Sequence, residues 1–431
     1  MLKNEVFFDY TRRNVDFSDF FEYILIMEDK YYKREEYLEK IKPYLGKKII
    51  KVIIGMRRSG KSYFLKQLRD ELFKEGLKKE SFLMIDMEEI KNDFITSYKE
   101  LVEYIDNYFK DIQGRRVLFI DEVQDIKGWE KALRSYVKED YEIVITGSNA
   151  HLFSSEIATL LAGRSIEIEM YPLSFREYLG FTKEEDKVNG FKMYLKYGGM
   201  PVIYDFLMEG DKERYELLRS LYDSIILKEV ISRHDIRDVH MLENLLKYIY
   251  DNIGNIFSAK KIVDYLKSQK LNKSVDTIIN YLRYLEGAFA VYKAERYDIK
   301  GKRLLEVSEK YYVSDLGIRH ALIGYKADDI SGMLENVVYL ELKKRGYRVH
   351  VGKYEDMEID FIAERNGQLL YVQVCYLLET EKVIEREFDI LLKIKDNFPK
   401  YVISLDEFFG DNRQGIKWMN IRDFLLSTDF S

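Results

Sequence analysis

"VIIGMRRSGKSYFL", residues 52–65, places a glycine-rich loop directly after an apolar run. Gly55, Gly60, Lys61 and Ser62 follow the spacing G-x-x-x-x-G-K-[ST]. In that pattern backbone N–H groups cradle a phosphate, the lysine reaches the β and γ oxygens, and the serine hydroxyl ligates magnesium. The amphipathic pattern that follows predicts a helix whose dipole adds positive potential. The stretch therefore predicts a P-loop for ATP and Mg²⁺, the alternative being an ordinary glycine-containing turn. The residues expected to line it are Gly55, Met56, Arg57, Arg58, Ser59, Gly60, Lys61, Ser62 and Tyr63.

A second motif supplies carboxylates. The stretch "RRVLFIDEVQ", residues 115–124, is an apolar strand pattern ending in Asp121 and Glu122. Ser62 and Asp121 are the predicted magnesium ligands, Asp121 acting through water, and Glu122 would polarise the attacking water for hydrolysis. A strand that simply ends in a solvated acidic turn is the alternative, and the P-loop upstream favours the catalytic interpretation.

Two further polar positions are candidates for catalysis beside Lys61 and Glu122. The strand pattern "EIVITGSN", residues 142–149, ends in Ser148 and Asn149, which could touch the γ-phosphate or the lytic water. The same residues suit a plain strand-to-helix turn with an N-cap. Arg164 precedes the next strand pattern and could neutralise transition-state charge, in cis or from a neighbouring subunit. Its alternative is a surface arginine that caps a helix end.

The pattern of elements predicts an α/β fold. Between about 49 and 173, five β-branched runs alternate with amphipathic helices, which is typical of a parallel sheet. The pattern is mainly helical from about 205 to 290 and again α/β beyond 306, with no Gly/Ser linker. The predicted parts are a helical lead-in (1–46), a P-loop domain with a helical lid (47–205), a helical segment (206–305) and a C-terminal α/β domain (306–431).

The helical segment has the order of a winged helix-turn-helix. Ser258 and Ser274 are expected to cap two successive helices, and "FAVYKAERY" reads as a β-wing. Residues 255–303 contain eleven Lys or Arg and five Asp or Glu, a local balance of +6 in a chain with a net charge of −6. This asymmetry favours contact with double-stranded DNA at weak sequence specificity. Winged helices also bind proteins, so a protein partner is the alternative.

The order "GMRRSGKS", "LFIDEVQ", "ITGSN", "LLAGR", "YPLSFREYL" and "YLKYGGMP" resembles the archaeal and bacterial AAA+-type ATPases that carry a winged-helix segment and a C-terminal restriction-endonuclease-like domain. The resemblance covers about 45 to 410. It implies ATP binding and hydrolysis, with Lys61, Ser62, Asp121 and Glu122 as the transferable residues. The chain departs from better-known AAA+ machines at "YLKYGGMP", where a lid arginine has no clear match.

The C-terminal stretch "MEIDFIAERNGQLLYVQVCYLL", residues 357–378, resembles the metal-binding strands of a restriction-like nuclease. Such enzymes need two acids and a lysine, and here Asp360 occupies the first strand while Gln373 and Cys375 stand where the second acid and the lysine belong. Gln373 could still offer a carbonyl oxygen to a cation, but a thiol cannot replace an ammonium. The sequence therefore predicts a degenerate nuclease-like domain, although Lys353 or Lys382 could take the lysine's place.

Composition excludes several classes of protein. The chain of 431 residues has a single cysteine, Cys375, which excludes an internal disulfide framework and fits a reducing compartment. No apolar run reaches the roughly 18 residues of a membrane span, and "MLKNEVFFDYTRR" lacks the order of a signal peptide. We therefore predict a cytoplasmic ATP-driven switch that contacts DNA or a protein and that could oligomerise. The alternatives are an ATP-regulated metal-dependent DNA nuclease and a scaffold ATPase without nucleic-acid contact.

Overall fold

The glycine-rich loop belongs to a five-stranded parallel sheet. The computed structural model describes residues 31–150, 161, 163–205, 210–407 and 412–428, so residues 1–30 of the predicted lead-in lie outside it. The sheet has the order β2-β3-β4-β1-β5, and every neighbouring pair is parallel. Its strands are β1 (Ile50–Ile54), β2 (Phe82–Asp86), β3 (Arg116–Asp121), β4 (Tyr141–Gly147) and β5 (Ser165–Glu169). The α/β fold and the parallel sheet predicted from the sequence are confirmed.

Helices cover both faces of this sheet, which explains why β1 and β4 are buried along their whole length. One apolar layer joins the lead-in helix and the helix after the P-loop to the sheet, and a larger layer lies on the other face. The helices of this part are α1 (Glu35–Ile41), α2 (Lys61–Lys74), α3 (Tyr98–Phe109), α4 (Trp129–Tyr136), α5 (Phe175–Thr182), α6 (Lys187–Tyr197) and α7 (Val202–Asp205).

The middle of the chain is helical and ends in a β-hairpin. Ser258 and Ser274 accept hydrogen bonds from the backbone N–H groups of Lys261 and Thr277, so each caps the helix it precedes. The helices are α8 (Asp211–Ser224), a π-helical stretch (Ile225–Ser232), α9 (Val239–Asp251), α10 (Ala259–Ser268) and α11 (Val275–Gly287). The antiparallel hairpin consists of β6 (Val291–Asp298) and β7 (Arg303–Val313).

That hairpin is built into the C-terminal sheet, because β6 also pairs in parallel with β8. The eight strands run in the order β12-β13-β11-β10-β9-β8-β6-β7. Beyond the hairpin they are β8 (Arg348–Tyr354), β9 (Met357–Arg365), β10 (Gln368–Val374), β11 (Lys400–Ser404), β12 (Asn412–Arg413) and β13 (Ile416–Asn420). The accompanying helices are α12 (Leu316–Ile323), α13 (Ile330–Lys344), α14 (Glu381–Lys393) and α15 (Ile421–Leu426). The division expected between residues 305 and 306 falls inside β7.

Buried polar contacts join the two sheets within the compact unit formed by residues 36–431. The Lys344 ammonium lies 2.8 Å from the Glu177 carboxylate and donates a 2.7 Å hydrogen bond to the Ser174 hydroxyl. The backbone N–H of Gly199 donates to Asp315 at 2.6 Å, and a Cβ atom at Gly199 would stand 2.2 Å from the carbonyl oxygen of Leu173. The glycine pair in "YLKYGGMP" therefore serves close packing.

No helix within the described ranges is both long and apolar enough to cross a membrane.

Candidate functional site

The loop between β1 and α2 is shaped by glycines that no other residue could replace without strain. Gly55 has φ +153°, and a Cβ atom there would stand 2.1 Å from the carbonyl oxygen of Met170. Gly60 has φ +103° and is the N-cap of α2, to which it offers no side-chain hydrogen bond. The first N–H groups of α2 thus face the loop without a side-chain acceptor from the cap. Such a helix start, with its positive dipole end, fits a phosphate.

Lys61 is the first residue of α2 and is 3% exposed. Its ammonium donates hydrogen bonds to the backbone carbonyl oxygens of Gly55 at 3.1 Å and Met56 at 3.2 Å, and lies 3.5 Å from the Glu122 carboxylate. These contacts hold the ammonium across the mouth of the loop. A charge held there can pair with the oxygens of a bound triphosphate.

Asp121 lies at the carboxyl end of β3. In the sheet, β4 lies between β3 and β1. Its carboxylate accepts hydrogen bonds from the hydroxyl groups of Ser62 and Thr146. Burial raises the pKa of Asp121 to about 6, against the opposing effect of those two hydrogen bonds. The Ser62 and Asp121 oxygens are therefore adjacent, and hard oxygen donors of this kind suit Mg²⁺.

Glu122 follows in a left-handed conformation, φ +55°, which is uncommon for a residue with a side chain. Its backbone N–H donates to the Thr146 hydroxyl at 3.0 Å, and its carboxylate accepts a 2.5 Å hydrogen bond from Gln124. Burial alone would raise the pKa of Glu122, but the Lys61 ammonium, hydrogen bonds from Gln124 and Ser148, and the Arg57 guanidinium lower it. The buried side chain is therefore a carboxylate at neutral pH, able to accept a hydrogen bond from water.

The other candidate catalytic residues, Ser148, Asn149 and Arg164, lie at two opposite edges of the parallel sheet. Ser148 and half-buried Asn149 follow β4 on the same edge of the sheet as the P-loop, and Ser148 contacts Gln124 at 3.3 Å. Arg164 is exposed and precedes β5, beside the start of β1, since its carbonyl oxygen accepts a hydrogen bond from the Ile50 N–H. That is the opposite edge of the sheet. Within one chain Arg164 is not part of this site, which corrects the expectation of a role in cis.

The remaining loop side chains differ in exposure. Arg58 and Tyr63 are exposed, whereas the Arg57 side chain is 12% exposed and forms ion pairs on two sides. Arg57 donates to the Glu88 carboxylate in the loop after β2 and lies 3.5 Å from Glu229 in the π-helical stretch. No sequence pattern indicates these partners, because residues 57, 88 and 229 are brought together only by the fold. Thr146, near the end of β4, contacts both Asp121 and Glu122.

A second cluster of charge lies at the C-terminal sheet. Lys310 on β7 is 2% exposed, and its ammonium is 2.7 Å from Glu335 on α13, 2.7 Å from Glu358 and 3.6 Å from Asp360 on β9. Tyr312 donates a 2.5 Å hydrogen bond to Glu335. Burial raises the pKa of both Glu335 and Asp360, and the three carboxyl groups raise that of Lys310 against its own burial. We define Lys310, Glu335, Glu358 and Asp360 as the Lys310 cluster.

The lysine in this cluster is neither of the two that the sequence suggested. It is Lys310, about 50 residues before Asp360 in the chain and beside it in space. The Gln373 carbonyl oxygen accepts a 3.3 Å hydrogen bond from the Asp360 N–H, so it is already engaged by the backbone. Cys375 is 7% exposed, and burial raises the pKa of its thiol. Among the described residues no group of three or more His, Cys, Asp or Glu side chains is arranged to hold a metal ion.

Comparisons with known proteins match the part of the chain that contains this candidate site. Residues 47–179 match the family described as AAA domain, and residues 188–329 match a domain of unknown function. The solved structure of a Walker-type ATPase of Pyrococcus abyssi covers 69% of this chain and 97% of its own, with a TM-score of 0.50 at 16% identity, a likeness of fold.

Two relatives match over most of their length. An uncharacterized protein of Haemophilus influenzae is 38% identical over 400 residues, which are 91% of this chain and 98% of the relative. An uncharacterized protein of Methanocaldococcus jannaschii is 32% identical over 364 residues, which are 80% of this chain and 79% of the relative. The fold and the AAA domain imply nucleotide binding, usually with Mg²⁺. The chain belongs to the family of these two proteins, and its residues 47–179 form an AAA domain.

Proposed function

We propose that this protein hydrolyses ATP and that its nucleotide state controls the attachment of the helical segment and the C-terminal sheet to a partner. The observation that carries the proposal is the meeting of Lys61, Ser62, Asp121 and Glu122 at one edge of the parallel sheet. These four side chains come from two motifs about 60 residues apart: the Ser62 hydroxyl donates a hydrogen bond to Asp121, and the Lys61 ammonium lies 3.5 Å from Glu122.

Each of these residues has a separate task in the proposal. Lys61 pairs with the β and γ oxygens, and the loop N–H groups of residues 55–63 enclose the phosphates. Ser62 and Asp121 hold Mg²⁺, which when bound neutralises charge on those oxygens. Glu122 accepts a hydrogen bond from the attacking water and orients it. Asn149, on the same edge, touches the γ-phosphate or that water.

Lys61→Ala tests the nucleotide site. Because the variant loses a charge-assisted contact worth about 1.5–3 kcal/mol, affinity for ATP should fall by roughly 10- to 150-fold. Turnover should become undetectable at ATP concentrations that saturate the parent. Affinity is measured by calorimetry and turnover by phosphate release.

The matched control is Lys74→Ala, which removes an exposed lysine at the far end of the same helix, paired with Glu71. It should bind and hydrolyse ATP like the parent. Parent-like turnover by Lys61→Ala would show that the site has been wrongly assigned.

We further propose that the helical segment contacts double-stranded DNA. Three helices and an antiparallel hairpin have the order of a winged helix, with α11 in the place of the recognition helix. Asn280 and Arg283 are exposed on α11. Exposed basic side chains on α10, just after it, on α11 and at the hairpin turn support the proposal: Lys260, Lys261, Lys267, Lys270, Arg283, Lys300, Lys302 and Arg303.

DNA binding is tested by fluorescence anisotropy of a labelled duplex over a series of salt concentrations. Reversing both charges at the hairpin turn, Lys302→Glu with Arg303→Glu, should weaken binding and lower the slope of log K against log salt by about 2. The control is reversal of the exposed pair on α6, Lys187→Glu with Lys192→Glu. Stimulation of ATP turnover by the duplex would link the two activities. No binding by the parent at low salt, with or without ATP, would instead favour a protein partner and a scaffold role.

Nuclease activity is the less favoured function of the C-terminal sheet. In the Lys310 cluster the ammonium already contacts the carboxylates that a divalent cation would need. Gln373 bridges the Asp360 backbone and the Glu387 side chain. We therefore propose that this sheet is a docking element.

We also propose that the protein is cytoplasmic, since its single cysteine fits a reducing compartment.

A further inference from the structure

The P-loop arginine connects the nucleotide site to the helical segment. Arg57 lies inside the loop that encloses the phosphates, between Gly55 and Gly60. Its guanidinium donates to Glu88 on one side and lies 3.5 Å from Glu229 on the other. The guanidinium is also near enough to Glu122 to favour its ionised form. One side chain thus adjoins the phosphate loop, the proposed catalytic carboxylate and the helical segment.

Glu229 is placed for this contact by an unusual backbone. It lies in the stretch Ile225–Ser232, which continues α8 with π-helical hydrogen bonding, a rare arrangement that is frequent at functional sites. The side chain is 1% exposed, and its other ion-pair partner is Arg233, at 2.8 Å. Neither carboxylate oxygen has a hydrogen bond of standard geometry within the described part of the chain. A buried carboxylate therefore depends on two guanidinium groups for its compensation.

We infer that Glu229 is a positioning residue for the nucleotide site, holding Arg57 in a contact for which the γ-phosphate of ATP competes. The inference rests on the proposed function, because it requires a triphosphate in the loop. A γ-phosphate in the loop is a multivalent anion within reach of a flexible arginine, and charge-assisted pairing with phosphate is strong. When Arg57 turns to the phosphate, Glu229 keeps only Arg233.

The consequence is a change in the attachment of residues 225–233. With ADP, which lacks the γ-phosphate, the Arg57 to Glu229 contact persists. With ATP the contact is lost and the π-helical stretch is less tightly bound to the loop. The nucleotide state is thereby transmitted to α9 and the elements that follow it.

Glu229→Gln tests the inference through nucleotide selectivity. Removing the competing carboxylate charge should raise the affinity for ATPγS about 10-fold and leave the affinity for ADP within about twofold. Adding Arg57→Ala to this variant should abolish the gain, since the released guanidinium is its source. Affinities are measured by calorimetry at one salt concentration. The control Glu216→Gln removes an exposed carboxylate on α8, paired with Lys212, and should change neither affinity.

Hydrogen exchange provides a second measurement that needs no Glu229 variant. In the parent, ATPγS but not ADP should increase amide exchange in residues 225–233, and Arg57→Ala should remove that difference. Equal changes in ATPγS and ADP affinity, or a gain that survives Arg57→Ala, would give Glu229 a merely structural role and overturn the inference. A parent that binds neither nucleotide would refute the proposed function itself, a result distinct from unaltered selectivity in a parent that binds both.

Discussion

Glu122→Gln is expected to bind ATP with the affinity of the parent and to hydrolyse it about 10²- to 10⁴-fold more slowly, the range for loss of a general base. The amide keeps the size of the side chain and can still accept the hydrogen bond from Gln124. It loses the charge that orients and polarises water. Binding is measured by calorimetry in the presence of Mg²⁺, and turnover by single-cycle phosphate release, which separates chemistry from product dissociation.

A matched control is Glu89→Gln, which removes an exposed carboxylate paired with Lys91 in the loop after β2. Its turnover should equal that of the parent. If Glu122→Gln hydrolyses ATP at the parent rate, another group activates the water. If it fails to bind ATP, the main contribution of Glu122 is its ion pair with Lys61, 3.5 Å away.

Lys310→Met should destabilise the protein by about 3–5 kcal/mol at pH 8, because removing one partner of a buried ion pair leaves uncompensated charge. The penalty should shrink at lower pH. Burial raises the pKa of Glu335 and Asp360 in the folded state, so the fold favours their protonated forms. As pH falls toward the ordinary carboxyl range, protonation removes the charge that Lys310 had compensated. Urea unfolding at pH 5 and pH 8 measures both effects.

Two variants make this test specific. Lys300→Met removes an exposed lysine paired with exposed Glu355 and should leave the free energy of unfolding close to that of the parent at both pH values. Lys310→Met combined with Glu335→Gln should recover part of the loss at pH 8. Equal stability of Lys310→Met and the parent at both pH values would contradict the assigned role of the ammonium. Mn²⁺-dependent DNA cleavage by the parent that disappears in Asp360→Ala would support a nuclease instead.

The sequence predicted the nucleotide loop well, because its signal is local. Residues 55–62 form one continuous stretch of the chain. Their spacing, together with the strand pattern before them and the helix pattern after them, indicates a single turn between a strand and a helix. The pair at 121 and 122 was readable for the same reason. The parallel order of the strands followed from the alternation of elements, whereas the insertion of β4 between β1 and β3 did not.

Contacts between distant elements could not be predicted. Arg57 and Glu229 are far apart in the chain, and no periodicity indicates that they meet. Arg164 was misplaced because nearness to a strand in sequence does not say which end of the sheet the residue occupies. Lys310 could not be identified from the nuclease motif, because the motif places its lysine after the first acid in the chain, whereas this ammonium comes from a strand of the preceding hairpin.

The pairing of β6 with β8 has a consequence for synthesis of the chain. The hairpin β6–β7 can close as soon as residue 313 has left the ribosome, but Arg296 finds its partner Val351 only after some 40 further residues have emerged. During that interval one edge of β6 is uncovered, with its N–H and C=O groups free to pair with another strand. The nascent chain is thus most exposed to misassembly while α12 and α13 are being made.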